Sequence, residues 1–290
     1  MSEKKRIFIG QSILNIILFI LAFTMFFPFI YILLISLHDP SVFRAGQVNF
    51  WPQKFSLAAY DYILSGGGFV NALKSTLVIT LVGTPLNVLF NSGLAYLLAK
   101  KGAPGRGILM KLVIFTMLFG PGMIPNYLNI LNLGLYNSWW ACILPATCGA
   151  WNLMVMKSFF MGLPPELEEA AIIDGCNELQ IFFRIVLPLS KAMLATFTLF
   201  AAVSYWNCYF SALMYITDST KWPLQVFLQQ IVISLNFDQY MDTGLQLLTN
   251  VPSEVAQMAC IIVAVLPIMC VYPFLQKHFA KGVMVGSVKG

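Results

Sequence analysis

Six long stretches of this sequence contain no aspartate, glutamate, lysine, arginine or histidine. They are Ile13–Leu37, Ser75–Ala99, Leu112–Leu131, Trp139–Met156, Ala192–Ile216 and Val255–Leu275. A helix needs about 20 predominantly apolar residues to cross roughly 30 Å of hydrocarbon. Only helices or closed barrels satisfy every backbone polar group in that medium. The pattern predicts an all-α integral membrane protein with six transmembrane helices, read as a single transmembrane domain over residues 1–290. Composition agrees: charged residues make up 10% of the chain, against about 25% in soluble domains, too few to cover a water-facing surface. The first stretch follows Lys4-Lys5-Arg6, but its apolar run is too long for a signal peptide and no small-residue cleavage site follows. It reads as a retained first span.

Lysine and arginine favour cytoplasmic loops. With the N-terminus inside, the inner segments hold Lys4, Lys5, Arg6, Lys100, Lys101, Arg106, Lys111, Lys157, Arg184, Lys191, Lys277, Lys281 and Lys289. The outer ones hold only Arg44, Lys54, Lys74 and Lys221. Both termini are therefore expected in the cytoplasm. Because these basic residues border apolar blocks rather than forming one patch, the net charge of +5 does not mark a nucleic-acid binder. Five of the six cysteines lie in or beside apolar stretches, and no CxxC or Cys/His spacing occurs. They read as reduced thiols filling space between helices, and no metal site is expected.

The spans exclude several functions. Ion-coupled carriers keep ionisable groups at membrane depth, and these spans have none. His38 and His278 flank the first and last spans without a partner at useful spacing, and read as solvated residues. The phosphate-cradling GxxxxGK[ST] loop is absent, so any ATP chemistry must come from another chain and no catalytic residue is assigned. The spans instead carry amides (Asn87, Asn91, Asn152, Asn207 and Gln257) among many aromatics. Such amides either glue helices together or face a cavity and hydrogen-bond the hydroxyls of a neutral polyhydroxyl solute. The third span holds Phe119-Gly120-Pro121-Gly122-Met123-Ile124-Pro125-Asn126. That broken stretch is expected to line protein or water rather than lipid.

The loop over 162–190 is the most informative segment. Leu163-Pro164-Pro165-Glu166-Leu167-Glu168-Glu169-Ala170-Ala171 places proline and carboxylates where a helix begins. Asp174-Gly175 ends that helix, since glycine tolerates the left-handed cap. Asn177 with Gln180 forms a box-like start for a second helix, which carries Leu179, Phe182, Phe183 and Val186 and is expected to end at Leu187-Pro188. Two short helices turned at a glycine, with a small Ala170-Ala171 pair open to close approach, make a docking element.

The spacing Glu169-Ala170-Ala171, three residues, Gly175, nine residues, Ile185, one residue, Leu187-Pro188 resembles the EAA signature of binding-protein-dependent ABC import permeases. The Gly122–Tyr127 and Leu133-Gly134-Leu135 segments and Tyr205-Trp206-Asn207 are similar to carbohydrate-type members. The tail Gln276–Gly290 resembles that of the MalG-like second permease subunit of maltose systems. Ala192 departs from the pattern, where many relatives place proline, and leaves the local start of the fifth span open. The resemblance implies a coupling-helix loop between the fourth and fifth spans, with Glu169, Ala170, Ala171, Asp174, Gly175, Ile185, Leu187 and Pro188 at the joint with an ATPase. It implies a homologous second permease subunit, two copies of a cytoplasmic ABC ATPase holding ATP and Mg, and an extracytoplasmic solute-binding protein. The setting is a bacterial or archaeal cell (inner) membrane, with lipid around a multi-pass chain and a sugar or oligosaccharide as substrate. For substrate contact the expectation falls on Trp206, Asn207 and Tyr209, then Asn126, Tyr127 and Asn152. A non-sugar solute for the same architecture, or an autonomous carrier or channel, is the alternative.

Overall fold

The computed structural model describes residues 3–44, 50–65, 67–233, 252, 254–267 and 269–270. The predicted tail motif over 276–290 and the end of the sixth stretch lie outside them. The described residues are helical and contain no β-strand, only one isolated bridge between His38 and Phe55. They fall into two compact units, one within 1–69 and 228–267, the other within 70–227 and 268–290.

In the first unit, α1 (Glu3–Ser36) carries Pro28, and α2 (Ala58–Ser65) buries Ala59, Tyr62 and Ile63. Near its end Ser36 and Tyr60 share a hydroxyl hydrogen bond of 2.6 Å, and Lys54 pairs with Asp39 at 2.7 Å. His38 departs from the solvated state expected of it. It is buried, with Nδ1 2.9 Å from the Leu34 carbonyl and its ring edge-on to Phe43. The chain turns back at Asp39 and closes the bridge to Phe55, which encloses the ring.

The second unit is organised by α3 (Gly67–Ala99), followed by α4 (Arg106–Leu118), α5 (Met123–Asn132), α6 (Trp140–Ile143), α7 (Ala150–Phe160) and α8 (Pro165–Ile173). Beyond these come α9 (Glu178–Leu189), α10 (Lys191–Trp206) and α11 (Phe210–Tyr215); α12 (Leu224–Ile233) runs from the second unit into the first, and α13 (Glu254–Pro267) belongs to the first. Two apolar clusters gather on α3. One joins Ile79 to Cys142, Ile143, Ala201, Tyr205 and Val226. The other joins Ala95, Tyr96 and Leu98 to Met156, Phe160, Ala171, Ile181 and Phe182. At 1.5 Å per residue, Ile79 and Leu98 lie about 28 Å apart along the axis, close to the thickness of the hydrocarbon layer. The clusters thus brace opposite ends of one span. Between them Gly83 lets the Tyr205 ring approach so closely that an added Cβ would sit 2.8 Å from it.

Two described helices are long and apolar enough to cross a membrane, Gln11–Ser36 and Gly67–Ala99. A third arises if Glu178–Leu189 and Lys191–Trp206, bent by 86° at Ser190, count as one span. The other apolar stretches are interrupted. The third breaks between Leu118 and Met123, as its glycines and prolines predict, with Gly122 at φ 82°. The fourth breaks after Ile143 and resumes at Ala150, and the fifth breaks at Asn207–Tyr209. Despite the missing proline at Ala192, α10 begins at Lys191.

Candidate functional site

The 162–190 loop is built by its local sequence. Pro164 is extended and Pro165 opens α8, with Glu166 and Glu168 in the first turn, where carboxylates complement the helix dipole. At the far end Gly175 has φ 80°. Its N–H donates to the Ile172 carbonyl at 3.0 Å, and the Cys176 N–H donates to the Ala171 carbonyl at 2.9 Å. This is the paired glycine cap that satisfies a helix's last carbonyls. Asn177 then starts α9 with a complete capping box. The Gln180 N–H donates to Asn177 Oδ1 at 2.8 Å, and the Asn177 N–H donates to Gln180 Oε1 at 2.9 Å.

The end of α9 differs from the expectation. Leu187-Pro188 does not stop the helix, which continues to Leu189 after a π turn over Phe182–Val186. The Leu187 N–H bonds five residues back to Phe182. Proline in a helix lacks an N–H and crowds the carbonyl four residues before it, and the widened turn accommodates both defects. The break falls at Ser190 instead.

The signature residues divide between two faces. Ala171 is 4% exposed, with Ile185 and Leu187 packed against the same cluster. Glu169, Ala170, Asp174 and Gly175 are exposed, as are Leu167, Ile172, Leu179 and Phe183, and Ile173 most of all at 86%. One side of the loop is anchored, and the other is an open surface of mixed apolar and acidic character.

A contact that sequence reasoning missed holds this loop. Lys100, just past α3, pairs through Nζ with Glu168 of α8 at 3.4 Å and with Glu178 of α9. Its ammonium lies 5.2 Å from the centre of the Tyr96 ring, which stacks on Phe182 at 5.2 Å. Burial disfavours the Lys100 ammonium, but the bonds to Glu178 and its neighbours outweigh that and push its pKa above the ordinary lysine value. The partners are 68 and 78 residues away in sequence, and no local spacing reveals them.

The predicted pathway residues are scattered more widely. Trp206 ends α10, is 8% exposed and has an indole N–H without a partner, so its ring is packed among protein. Asn207 caps α10. Its Nδ2 donates to the Val203 carbonyl at 3.0 Å, and its Oδ1 accepts from Gln225 at 3.1 Å. Tyr209, half-buried, precedes α11. Tyr127 of α5 stacks on Tyr215 of α11 and meets Tyr136 edge-on, both at 6.1 Å. Exposed Asn126 is its neighbour on α5, while Asn152 lies on α7 beside Gly149.

Two other amides act as glue. Asn87 donates to the Ala146 carbonyl at 2.7 Å, Asn91 donates to the Thr147 carbonyl at 3.0 Å, and the Gly149 N–H donates to Asn91 Oδ1 at 3.1 Å. They satisfy the backbone freed by the α6–α7 break, which hydrocarbon could not. The cysteines of the described residues form no disulfide. No group of three or more His, Cys, Asp or Glu side chains able to hold a metal occurs among these residues.

Comparison with known proteins decides what this architecture belongs to. The family described as binding-protein-dependent transport system inner membrane component matches residues 6–285. This chain is a member of that family. Similar proteins include protein LplC of Bacillus subtilis (strain 168), 47% identical over 264 residues, covering 91% of this chain and 89% of LplC. The polygalacturonan/rhamnogalacturonan transport system permease protein YtcP of the same organism is 46% identical over 263 residues, covering 91% of this chain and 92% of YtcP. A chain from the crystal structure of a bacterial ABC transporter involved in the import of the acidic polysaccharide alginate has a TM-score of 0.86. It is 33% identical, with 96% of this chain and 99% of that chain covered. The chain is therefore an inner-membrane transport component.

Proposed function

We propose that this permease is one of two membrane subunits of an ATP-driven importer for a sugar or oligosaccharide. A homologous permease completes the pathway, two cytoplasmic ABC ATPases bind ATP and Mg beneath it, and an extracytoplasmic binding protein delivers the substrate. The carrying observation is the divided loop, anchored on one face and open on the other, in a chain 46% identical to a polygalacturonan/rhamnogalacturonan permease. In this reading the chain is one transmembrane domain with six spans and both termini cytoplasmic. Four of those spans use the broken helices α4–α5, α6–α7 and α10–α11, and α13 with the residues after it.

The loop is the coupling element. Glu169, Ala170, Asp174 and Gly175 meet the ATPase, with exposed Pro188 also open to it, while Ala171, Ile185 and Leu187 hold the loop to the span. ATP binding draws the two permeases' loops together and opens the outer mouth, and hydrolysis resets it. The two permease halves are the bistable element that both events bias. Asn207 and Tyr209 present polar groups to hydroxyls, with the buried Trp206 ring packed beside them and Asn126, Tyr127 and Asn152 further along the path.

An acidic oligosaccharide is the narrower reading, favoured by the acidic polysaccharide that the similar solved transporter helps import. The six spans of this chain offer no cation, so the second permease or the binding protein supplies the counter-charge. Co-expression with the adjacent transport components tests the proposal. An ATPase should co-purify, and its activity should rise when binding protein loaded with an oligosaccharide is added. Failure of any ATPase to associate contradicts it. Stimulation by neutral but not acidic oligosaccharides removes the narrower reading alone.

A further inference from the structure

Lys100 sits where three parts of the second unit converge. It follows α3 directly, and its side chain, 22% exposed, reaches carboxylates on both helices of the 162–190 loop. Glu168 lies before the Gly175 corner and Glu178 after it. Below the ammonium, Tyr96 stacks on Phe182 of α9 and meets Phe160 of α7 edge-on. Each contact alone is modest, since an ion pair with exposed partners contributes little. Their arrangement is what matters. One cation, fixed at the end of a span, grips both arms of a glycine corner whose own bonds are purely local.

The apolar cluster explains why the loop packs against α3, but apolar contact is non-directional and allows the loop to slide or rotate. A charge with partners on both arms does not. It fixes the angle at Gly175 and makes the loop and the α3 end move together. We infer that Lys100 is a positioning residue that delivers movement of the coupling loop to α3. The inference rests on the coupling role proposed above. Lysine suits the position because its long stem packs over Tyr96 while the ammonium reaches two carboxylates.

The test uses the complete transporter carrying Lys100→Met, which keeps the stem and removes the charge. The ATPase should still co-purify and retain its basal rate. Stimulation by loaded binding protein should fall at least about fivefold, the low end of ordinary coupling between sites. Lys100→Arg should restore most of it, and Lys100→Glu combined with Glu178→Lys should restore part. Wild-type stimulation in Lys100→Met overturns the inference. If that variant does not accumulate in the membrane, the Glu168→Gln, Glu178→Gln double variant decides. Lost stimulation with the ATPase still bound supports the clamp, and unchanged stimulation rejects it. Failure of the coupling reading itself shows differently, as absence of an associated ATPase in the wild type.

Discussion

The helical chain of the second unit is interrupted at Gly175 and again between Ile143 and Ala150, and the two interruptions are repaired in opposite ways. At Gly175 the freed backbone groups are satisfied within a few residues, by the glycine cap on one side and the Asn177–Gln180 box on the other. Between α6 and α7 the repair comes from Asn87 and Asn91 of α3, 56 to 59 residues distant. The loop reads as facing water, where unpaired groups can be hydrated, so local caps suffice. The α6–α7 break falls within an apolar stretch, where each unpaired group would cost several kcal/mol (~) in lipid. The contrast separates a corner whose backbone groups are paired locally from one whose backbone groups are paired by a neighbouring helix.

Substitutions at the two breaks sharpen this contrast. Asn91→Leu should have the largest effect, because it strands the Thr147 carbonyl and the Gly149 N–H together. A loss of about 2 kcal/mol is expected, measured by denaturant unfolding in mixed micelles. A loss no greater than that of an exposed-site control would show that the α6–α7 break does not depend on α3. Gly175→Ala comes next, at about 1–2 kcal/mol for a side chain forced into the left-handed region. Space is not the issue there, since nothing lies within 4 Å of an added Cβ. Asn177→Ala should cost about 1 kcal/mol through the lost cap, seen as faster amide exchange confined to the start of α9.

The smallest effect concerns pH. The raised folded pKa of Lys100 means that its contribution is fully present below the unfolded value, near 10.4, and lost as pH rises through the higher folded one. The stability difference between wild type and Lys100→Met should therefore stay flat from about pH 7 to pH 9 and shrink only above about pH 10.4. A difference that vanishes near neutrality would contradict the ion-pair geometry.

The same contrast explains what the sequence revealed. The helices of the loop, its glycine corner and its capping box were legible because each rests on residues within four positions of one another. The third-span break was legible from Gly120-Pro121-Gly122. The fourth-span break, flanked by Pro145 and Gly149, is held by amides on another helix, a pairing that no local spacing reveals. Lys100 read only as one more inner-loop cation, since its role depends on where Glu168 and Glu178 come to rest. Trp206 stands among the expected substrate contacts, and its burial depends on packing that no local spacing reveals.

The most direct measurement is ATPase co-purification and stimulation with Glu169→Lys and Gly175→Asp, both at exposed positions of the loop. The proposed coupling role predicts that the permease still folds and reaches the membrane while the ATPase detaches or loses its response to loaded binding protein. Wild-type association and stimulation in both variants would contradict it, and would leave the open face of the loop without a role in ATP-driven transport.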